Sequence, residues 1–278
     1  MFKKRSVKYV VSASRRTDML IGSQLERLIA ALEGRLPSTP TLSAEKIHTL
    51  LISTKNYLPL LDEPALRAAA GRCDQVCVNL TITGFGATEL EPRVPAADVL
   101  LKRLPELVDY IGNPQRVTWC FEPILSWRGL SNMSVVTFRR IAKEMSGLGI
   151  QRVMALFFRD YEHSRITPNR IKPADKKRFI AEMDAIASEL DLRLSVCKYG
   201  RFHRLKCVDV EYFADVHPEK DASVVEHYRS LPTPKGHCRD VIWDIGWYKP
   251  RCEHGCLYCY VSNVRTSVTQ KCHDIGYS

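Results

Sequence analysis

Residues 172–198 read KPADKKRFIAEMDAIASELDLRLSVCK and join a helix pattern directly to a strand pattern. Between positions 172 and 190, apolar side chains recur at the spacing that places them on one face of an α-helix. Residues 192–198 (LRLSVCK) then form a short run that favours a β-strand, and residues 151–158 (QRVMALFF) form another before the helix. A strand, a helix and a second strand in this order predict two parallel strands joined by a crossover helix.

The same alternation extends through the rest of the chain. Five further runs predict strands: KYVVSAS (8–14), HTLLIST (48–54), QVCVNLTIT (75–83), RVTWCFE (116–122) and DVIWDIG (240–246). Three further helix patterns lie between them: SQLERLIAALEG (23–34), PAADVLLKRLPELVDYIG (95–112) and SVVTFRRIAKEMSGLG (134–149). Their residue types predict that Ser23 is an N-cap and that a helix ends at Gly34.

This alternation of strands and helices predicts an α/β fold on a parallel sheet. We expect a TIM-like barrel, complete or partial, because about seven strand–helix units approach the number that closes one. A doubly wound open sheet is the alternative. No glycine-rich dinucleotide-binding fingerprint follows the first strand, which weakens that alternative.

Composition and charge narrow the class of protein. The 278 residues are 45% hydrophobic and 26% charged, which is typical of a globular chain. The net charge of +10 favours an anionic partner, nucleic acid first, with a merely basic solvated surface as the alternative. No apolar run could span a bilayer and the basic N-terminus lacks a signal-peptide pattern, so we expect a cytoplasmic protein with no membrane partner. Ten cysteines in that compartment favour metal ligands, catalytic thiols or buried side chains over disulfides.

Polar and charged residues gather where the predicted strands end. Active sites of barrels lie at the carboxyl ends of the strands, so these residues are candidates for a site. Each alone is also typical of a helix cap or a surface ion pair, and their convergence favours function. We assign candidate catalytic roles to Arg15, Arg16, Asp18, Lys55 and Glu122, and candidate cofactor-binding roles to Asn56, Thr83, Asp160 and Tyr258.

The segment RCEHGCLYCY (251–260) carries the most specific chemistry, with Cys252, Cys256 and Cys259 in a C-x3-C-x2-C spacing. Structural zinc takes four closed ligands, so a zinc site would need His254, Cys272 or His273 as its fourth. An iron–sulfur cluster is the competing interpretation, because it is held by thiolates in tight local spacing. Three cysteines on a [4Fe–4S] cluster would leave one iron open to a ligand.

This spacing resembles the signature of the radical SAM superfamily, including an aromatic residue, Tyr258, before the last cysteine. The resemblance implies that the open iron binds S-adenosylmethionine and that one-electron reduction yields a 5′-deoxyadenosyl radical. In most such enzymes the motif follows the first barrel strand, whereas here it follows the last predicted one. A circularly permuted strand order would explain this difference in motif position if residues 240–246 lie beside residues 8–14. We expect one barrel-like domain over 1–278, with 247–278 as its C-terminal cluster-binding segment.

The chain also resembles the domain of unknown function 1848 family, in SASRRTD (12–18), STKN (53–56), LTITGFG followed by LEP (80–92), and DIGWY with the terminal cysteines. The resemblance covers about Val11 to Tyr260 and implies an Fe–S protein of no established substrate. The family has WTKNP where this chain has STKNY, and it often carries a C-x-C pair where only Cys238 remains. Cys197, Cys207 and Cys238 are candidates for a second cluster or a zinc site, with His237 as a fourth ligand. Buried free cysteines are the alternative.

The candidate residues then have definite roles. Arg15 and Arg16 suit carboxylate or phosphate groups, and Asp18 could orient one of them or cap the next helix. Lys55 could contact a phosphate or the carboxylate of S-adenosylmethionine, while Glu122 could hold a ribose hydroxyl or the amine.

Three functions follow as hypotheses. The first is a radical SAM-like [4Fe–4S] enzyme, with an electron donor, that modifies or repairs a nucleic-acid base. The basic and aromatic segment RFHRLK (201–206) favours a nucleic-acid strand as substrate. The alternatives are a non-enzymatic nucleic-acid-binding protein with a structural zinc or Fe–S site, and a redox or ligand-binding Fe–S protein.

Overall fold

The structure is a computed structural model that describes residues 8–14, 17–38, 42–159, 164–230, 242–246, 251–259 and 261. Its strands are β1 (Tyr9–Ala13), β2 (Ile47–Thr54), β3 (Val76–Thr81), β4 (Val117–Ile124), β5 (Ser126–Trp127), β6 (Leu130–Ser131), β7 (Arg152–Phe157), β8 (Arg193–Val196) and β9 (Trp243–Ile245). Seven of them form one sheet in the order β8-β7-β4-β3-β2-β1-β9. Every pair in that sheet is parallel, which confirms the predicted α/β class. The remaining two, β5 and β6, form a small antiparallel hairpin that the sequence pattern did not predict.

The helices are α1 (Ser23–Leu32), α2 (Pro59–Asp62), α3 (Pro64–Ala70), α4 (Ala97–Ile111), α5 (Val135–Gly147), α6 (Pro173–Glu189), α7 (Val210–Asp215) and α8 (Ser223–Arg229). The four long helix predictions are therefore confirmed, and Ser134 caps α5 by accepting the Thr137 N–H at 3.3 Å. The predicted cap at Ser23 is wrong, because Gly22 is the residue that precedes α1. Gly22 has φ +55°, and a Cβ there would lie 1.8 Å from Glu253 Oε1. The positive φ of Gly22 is a backbone conformation that favours glycine.

The two faces of the sheet are covered by different helices. On one face, every second side chain of the strands, such as Val78, packs against α1 to α6 in the main core. On the opposite face, Leu51 and Cys77 pack with α7 and α8. Strand alternation places Thr81 and Glu122 on this second face, where both are half-buried near the carboxyl ends of their strands. The sheet therefore presents polar groups at the edge where the candidate site residues were predicted.

The last strand of the sheet lies beside the first. Val11 pairs with Trp243, Ser12 with Asp244, and the register continues to the end of β1. This confirms the expectation that residues 240–246 adjoin residues 8–14, for the part of that segment that the structure describes. The chain that leaves β9 for the cysteines therefore starts at the same edge as the chain that leaves β1.

The outer strands of the sheet are β8 and β9. Within the described residues no ladder joins these two strands, so the observed sheet is a sequentially wound parallel sheet whose closure is not seen. None of the described helices is both long and apolar enough to cross a membrane.

Two buried histidines stack at the start of β2. The rings of His48 and His217 lie 4.3 Å apart at an interplanar angle of 17°. Burial lowers the pKa of His48, and the Asp221 carbonyl, 3.0 Å from its Nε2, opposes that shift. Burial also lowers the pKa of His217, against the attraction of Asp74, while Arg116 lowers it further. Both imidazoles are therefore held neutral in the folded protein near neutral pH.

This pair predicts a loss of stability in mild acid. Because the folded pKa of each histidine lies below its unfolded value, the unfolded chain binds more protons, and stability falls as pH falls through about 6.5. We expect a lower urea midpoint at about pH 5.5 than at about pH 7.5. A His48→Gln variant should show a smaller drop between the two pH values. An equal drop in both proteins would show that carboxylates, not these histidines, set the pH dependence.

Candidate functional site

Residues 251–259, here the cysteine loop, are tied to two neighbouring segments by backbone hydrogen bonds. Leu257 N–H donates to the Leu90 carbonyl at 3.0 Å, in the segment that follows β3. The Leu257 carbonyl accepts from Arg165 N–H at 3.1 Å, in the segment that follows β7. Both segments lie after the carboxyl ends of their strands, so the loop lies at that edge of the sheet.

An apolar cluster holds the cysteine loop in place. Cys256 and Tyr258 are 5% and 6% exposed. They belong to a cluster with side chains from the segments after β3, β4 and β7: Phe85, Leu90, Val94, Leu125 and Ile166. Cys259 and Leu257 pack against the same cluster from a half-buried position. The central cysteine is therefore removed from water before any ligand binds.

Asp18, which follows β1, gathers four hydrogen bonds. Its Oδ2 accepts from the Thr54 hydroxyl at 2.8 Å and from the Lys55 N–H at 3.0 Å. The same oxygen lies 2.8 Å from His254 Nε2, within the cysteine loop. Its Oδ1 accepts from Leu20 N–H at 3.0 Å. This buried carboxylate therefore joins the ends of β1 and β2 to the cysteine loop. The bond from Leu20 N–H closes a local turn, and Asp18 does not cap α1, which Gly22 precedes.

Glu91 is a second buried carboxylate, 1% exposed, in the segment after β3. Its Oε1 accepts from Lys55 Nζ at 2.8 Å and from the Thr83 hydroxyl at 2.9 Å. The Tyr258 hydroxyl donates to the same oxygen. Glu91 thus joins the ends of β2 and β3 to the cysteine loop. Its contact in the loop is Tyr258, the residue before Cys259.

Lys55 lies at the centre of this arrangement. Burial lowers the pKa of the Lys55 ammonium, but the charge of Glu91 and the nearby Cys256 and Glu122 outweigh it, so the pKa is raised. The ammonium also lies 5.5 Å from the centre of the Tyr258 ring. Lys55 therefore stays charged at neutral pH and places a fixed positive charge beside Cys256.

None of the three cysteines is in a disulfide, and their environments differ. Burial raises the pKa of Cys252, as does the charge of Asp18, while the N–H groups of Asp18 and His254 that face its sulfur lower it. Burial raises the pKa of Cys256 more strongly, although Lys55 opposes the shift. Cys259 and Cys252 are close enough to raise the pKa of Cys256 by their own charge. Thiolates are the donor type that an Fe–S cluster requires.

Across the described ranges, no three His, Cys, Asp or Glu side chains meet in the arrangement of a metal site. The cluster ligands Cys252, Cys256 and Cys259 therefore stay a prediction. Cys197 and Cys207 are half-buried and not in disulfides, and Cys238 lies outside the described residues, so the second cluster or zinc site also stays a prediction.

The other predicted residues occupy varied positions. Thr83 is buried and bonded to Glu91. Asn56 accepts the Leu58 N–H at its Oδ1 at 3.2 Å, which stabilises the turn into α2. Glu122 is near enough to Lys55 for its charge to raise the pKa of the Lys55 ammonium, although the ion pair of Lys55 is with Glu91. Arg15, Arg16 and Asp160 lie outside the described residues.

Sequence reasoning missed Glu91 as a site residue and did not foresee the role of His254. Glu91 stands in the LEP segment that carried the family resemblance, so its acidic–proline pair was the available signal. His254 was considered only as a fourth zinc ligand, whereas its Nε2 lies 2.8 Å from Asp18 Oδ2. Asp18 and His254 are 236 residues apart in the chain, so their contact could not be predicted from sequence spacing.

The comparisons with known proteins give one family. The family model described as "Domain of unknown function (DUF1848)" matches residues 10–261. No curated protein matches the chain.

Proposed function

The chain belongs to the DUF1848 family, and we propose that it is a radical SAM-like enzyme whose Cys252, Cys256 and Cys259 hold a [4Fe–4S] cluster. The observation that carries the proposal is the convergence of Asp18, Lys55 and Glu91 on the cysteine loop. These residues come from the ends of three adjacent strands. A site built from several strand ends at one edge is typical of barrel enzymes.

The strand order supports a permuted partial barrel as the scaffold. Consecutive strands are neighbours throughout the sheet, with the last strand placed beside the first. The long helices cover one face, and the other face is polar near the cysteine loop. We propose that the sheet curves around this polar face, so that the cluster lies at the mouth of a barrel.

The chain's own residues would prepare the site in three ways. Cys256 is buried, so the cluster would be shielded from water on that side. The Lys55 ammonium would offset part of the negative charge of the thiolates, and Glu91 would hold that ammonium in place. Asp18, through His254, would fix the start of the loop. When bound, the cluster and S-adenosylmethionine would supply one-electron cleavage of a sulfonium bond.

The proposed substrate class is nucleic acid, as a base to be modified or repaired. The net charge of +10 supports an anionic partner. Such chemistry also requires an electron donor, because each cleavage consumes one electron. A cytoplasmic location, where thiols stay reduced, is consistent with free cysteines.

The test is anaerobic reconstitution with iron and sulfide, followed by S-adenosylmethionine and dithionite. We expect 5′-deoxyadenosine from the native chain and none from the Cys256→Ala protein. The matched control is Cys73→Ala, which removes a buried thiol far from the loop in sequence and should keep the activity.

Two outcomes would contradict the proposal. A stable cluster without 5′-deoxyadenosine would indicate a redox or binding protein instead. Stoichiometric zinc in place of iron would indicate a zinc-stabilised nucleic-acid-binding protein, whose affinity should fall steeply with salt.

A further inference from the structure

A groove lies beside the cysteine loop, between the ends of β4 and β7 and the start of α6. We call it the β4–β7 groove and define it by Leu125, Phe157, Phe158, Arg170, Ile171 and Lys176. Its volume is about 430 Å³, within the range of sites for small ligands. The residues assigned to the proposed cluster site do not line it, so it is a separate feature of the same edge.

The groove is apolar along its walls and cationic at its rim. Phe158 and Ile171 are half-buried and supply aromatic and apolar surface, and the buried Phe157 lies beneath them, 3% exposed. Among the described lining residues, the charged side chains are Arg170 and Lys176, and both are cations. The Lys176 ammonium lies 5.2 Å from the centre of the Phe157 ring. An aromatic surface and a positive charge are thus held within one ligand's reach.

The groove is coupled to the cysteine loop through two contacts. Leu125 and Phe158 line the groove and also pack in the cluster that contains Cys256. The segment after β7 that carries Arg170 also contains Arg165, whose N–H donates to the Leu257 carbonyl at 3.1 Å. A ligand in the groove would therefore lie next to the loop that is proposed to hold the cluster.

We propose that the β4–β7 groove binds a nucleoside phosphate unit of single-stranded nucleic acid, an inference that rests on the proposed function for its substrate class. The base would stack on the half-buried ring of Phe158, as bases do on aromatic side chains in single-strand-binding proteins. The phosphate would contact Arg170 and Lys176, since arginine and lysine both bind phosphate. The N-terminal end of α6, with its favourable dipole, adds to the attraction for an anion.

The test is the affinity of the full chain for a fluorescein-labelled single-stranded dodecamer, measured by anisotropy at several salt concentrations. We expect the Arg170→Ala/Lys176→Ala protein to bind about tenfold more weakly, with a salt slope smaller by about one to two units. The control is Lys143→Ala/Lys177→Ala, which removes the same charge from exposed positions of α5 and α6. We expect it to bind like the native chain, and AMP to displace the strand better than adenosine does.

Equal losses in the two double variants would overturn the inference, because they would show a general effect of charge. Failure of AMP to displace the strand would also overturn it. Neither measurement needs a cluster or S-adenosylmethionine, so the two proposals can fail separately. Strand binding at the groove without 5′-deoxyadenosine formation would refute only the enzyme, and the reverse result would refute only the groove.

Discussion

Replacing Glu91 with alanine should lower the free energy of unfolding by about 3 to 5 kcal/mol, the usual cost of breaking a buried ion pair. The side chain of Glu91 is 2% exposed and that of Lys55 is 17% exposed. Without the carboxylate, the Lys55 ammonium would lose the partner that lies 2.8 Å away and would stay in a largely dry position. The hydroxyls of Thr83 and Tyr258 would lose their acceptor as well.

Urea unfolding at neutral pH measures this effect, and two further variants serve as controls. Glu106→Ala removes an exposed partner of Arg103 and should change the urea midpoint little, because exposed pairs contribute little. Replacing both members, as Lys55→Met/Glu91→Leu, removes the unpaired charge and should restore much of the loss. If Glu91→Ala were no worse than Glu106→Ala, the pair would be open to water in solution and the arrangement around Lys55 would be wrong.

The strands and long helices could be predicted from the sequence because their patterns are local. β4 and α6, for example, show the strand and helix patterns within a single run. The position of β9 beside β1 could be stated only as a hypothesis from the cysteine motif, since strand order depends on contacts between residues distant in sequence. The short helices α7 and α8 were missed because each has fewer than two full turns of pattern.

The candidate site was predicted in its location but not in its connections. Asp18 and Lys55 were identified because each follows a predicted strand, and Thr83 because it ends one. That Lys55 pairs with Glu91 and not with Glu122 could not be deduced, because Glu91 follows β3 and Glu122 lies near the carboxyl end of the neighbouring β4. The difference depends on the path of the segment after β3, which brings Glu91 back over the sheet edge to the Lys55 ammonium.

Replacing Asp18 with alanine should release the cysteine loop. Asp18 accepts hydrogen bonds from Thr54, Lys55 N–H and Leu20 N–H and lies against His254, and all of these contacts except the partly buried one from Lys55 are buried. A buried donor left without an acceptor costs about 1 to 3 kcal/mol, so the variant should lose about 3 kcal/mol or more of unfolding free energy. We expect the cysteine loop to be the part of the structure that loosens most, because the contact with His254 joins the loop to the segment after β1.

Alkylation of Cys256 in the metal-free protein measures the release directly. Cys256 is 5% exposed, so iodoacetamide should modify it slowly in the native chain and at least about tenfold faster in Asp18→Ala, because burial limits reaction of a thiol. The control Asp98→Ala removes an exposed partner of Arg140 and should leave the rate unchanged. His254→Ala should accelerate alkylation as Asp18→Ala does, and the double variant should add little, because residues in contact are not additive. Additive effects would mean that Asp18 stabilises the strand ends alone, and that some other contact holds the cysteines at the edge of the sheet.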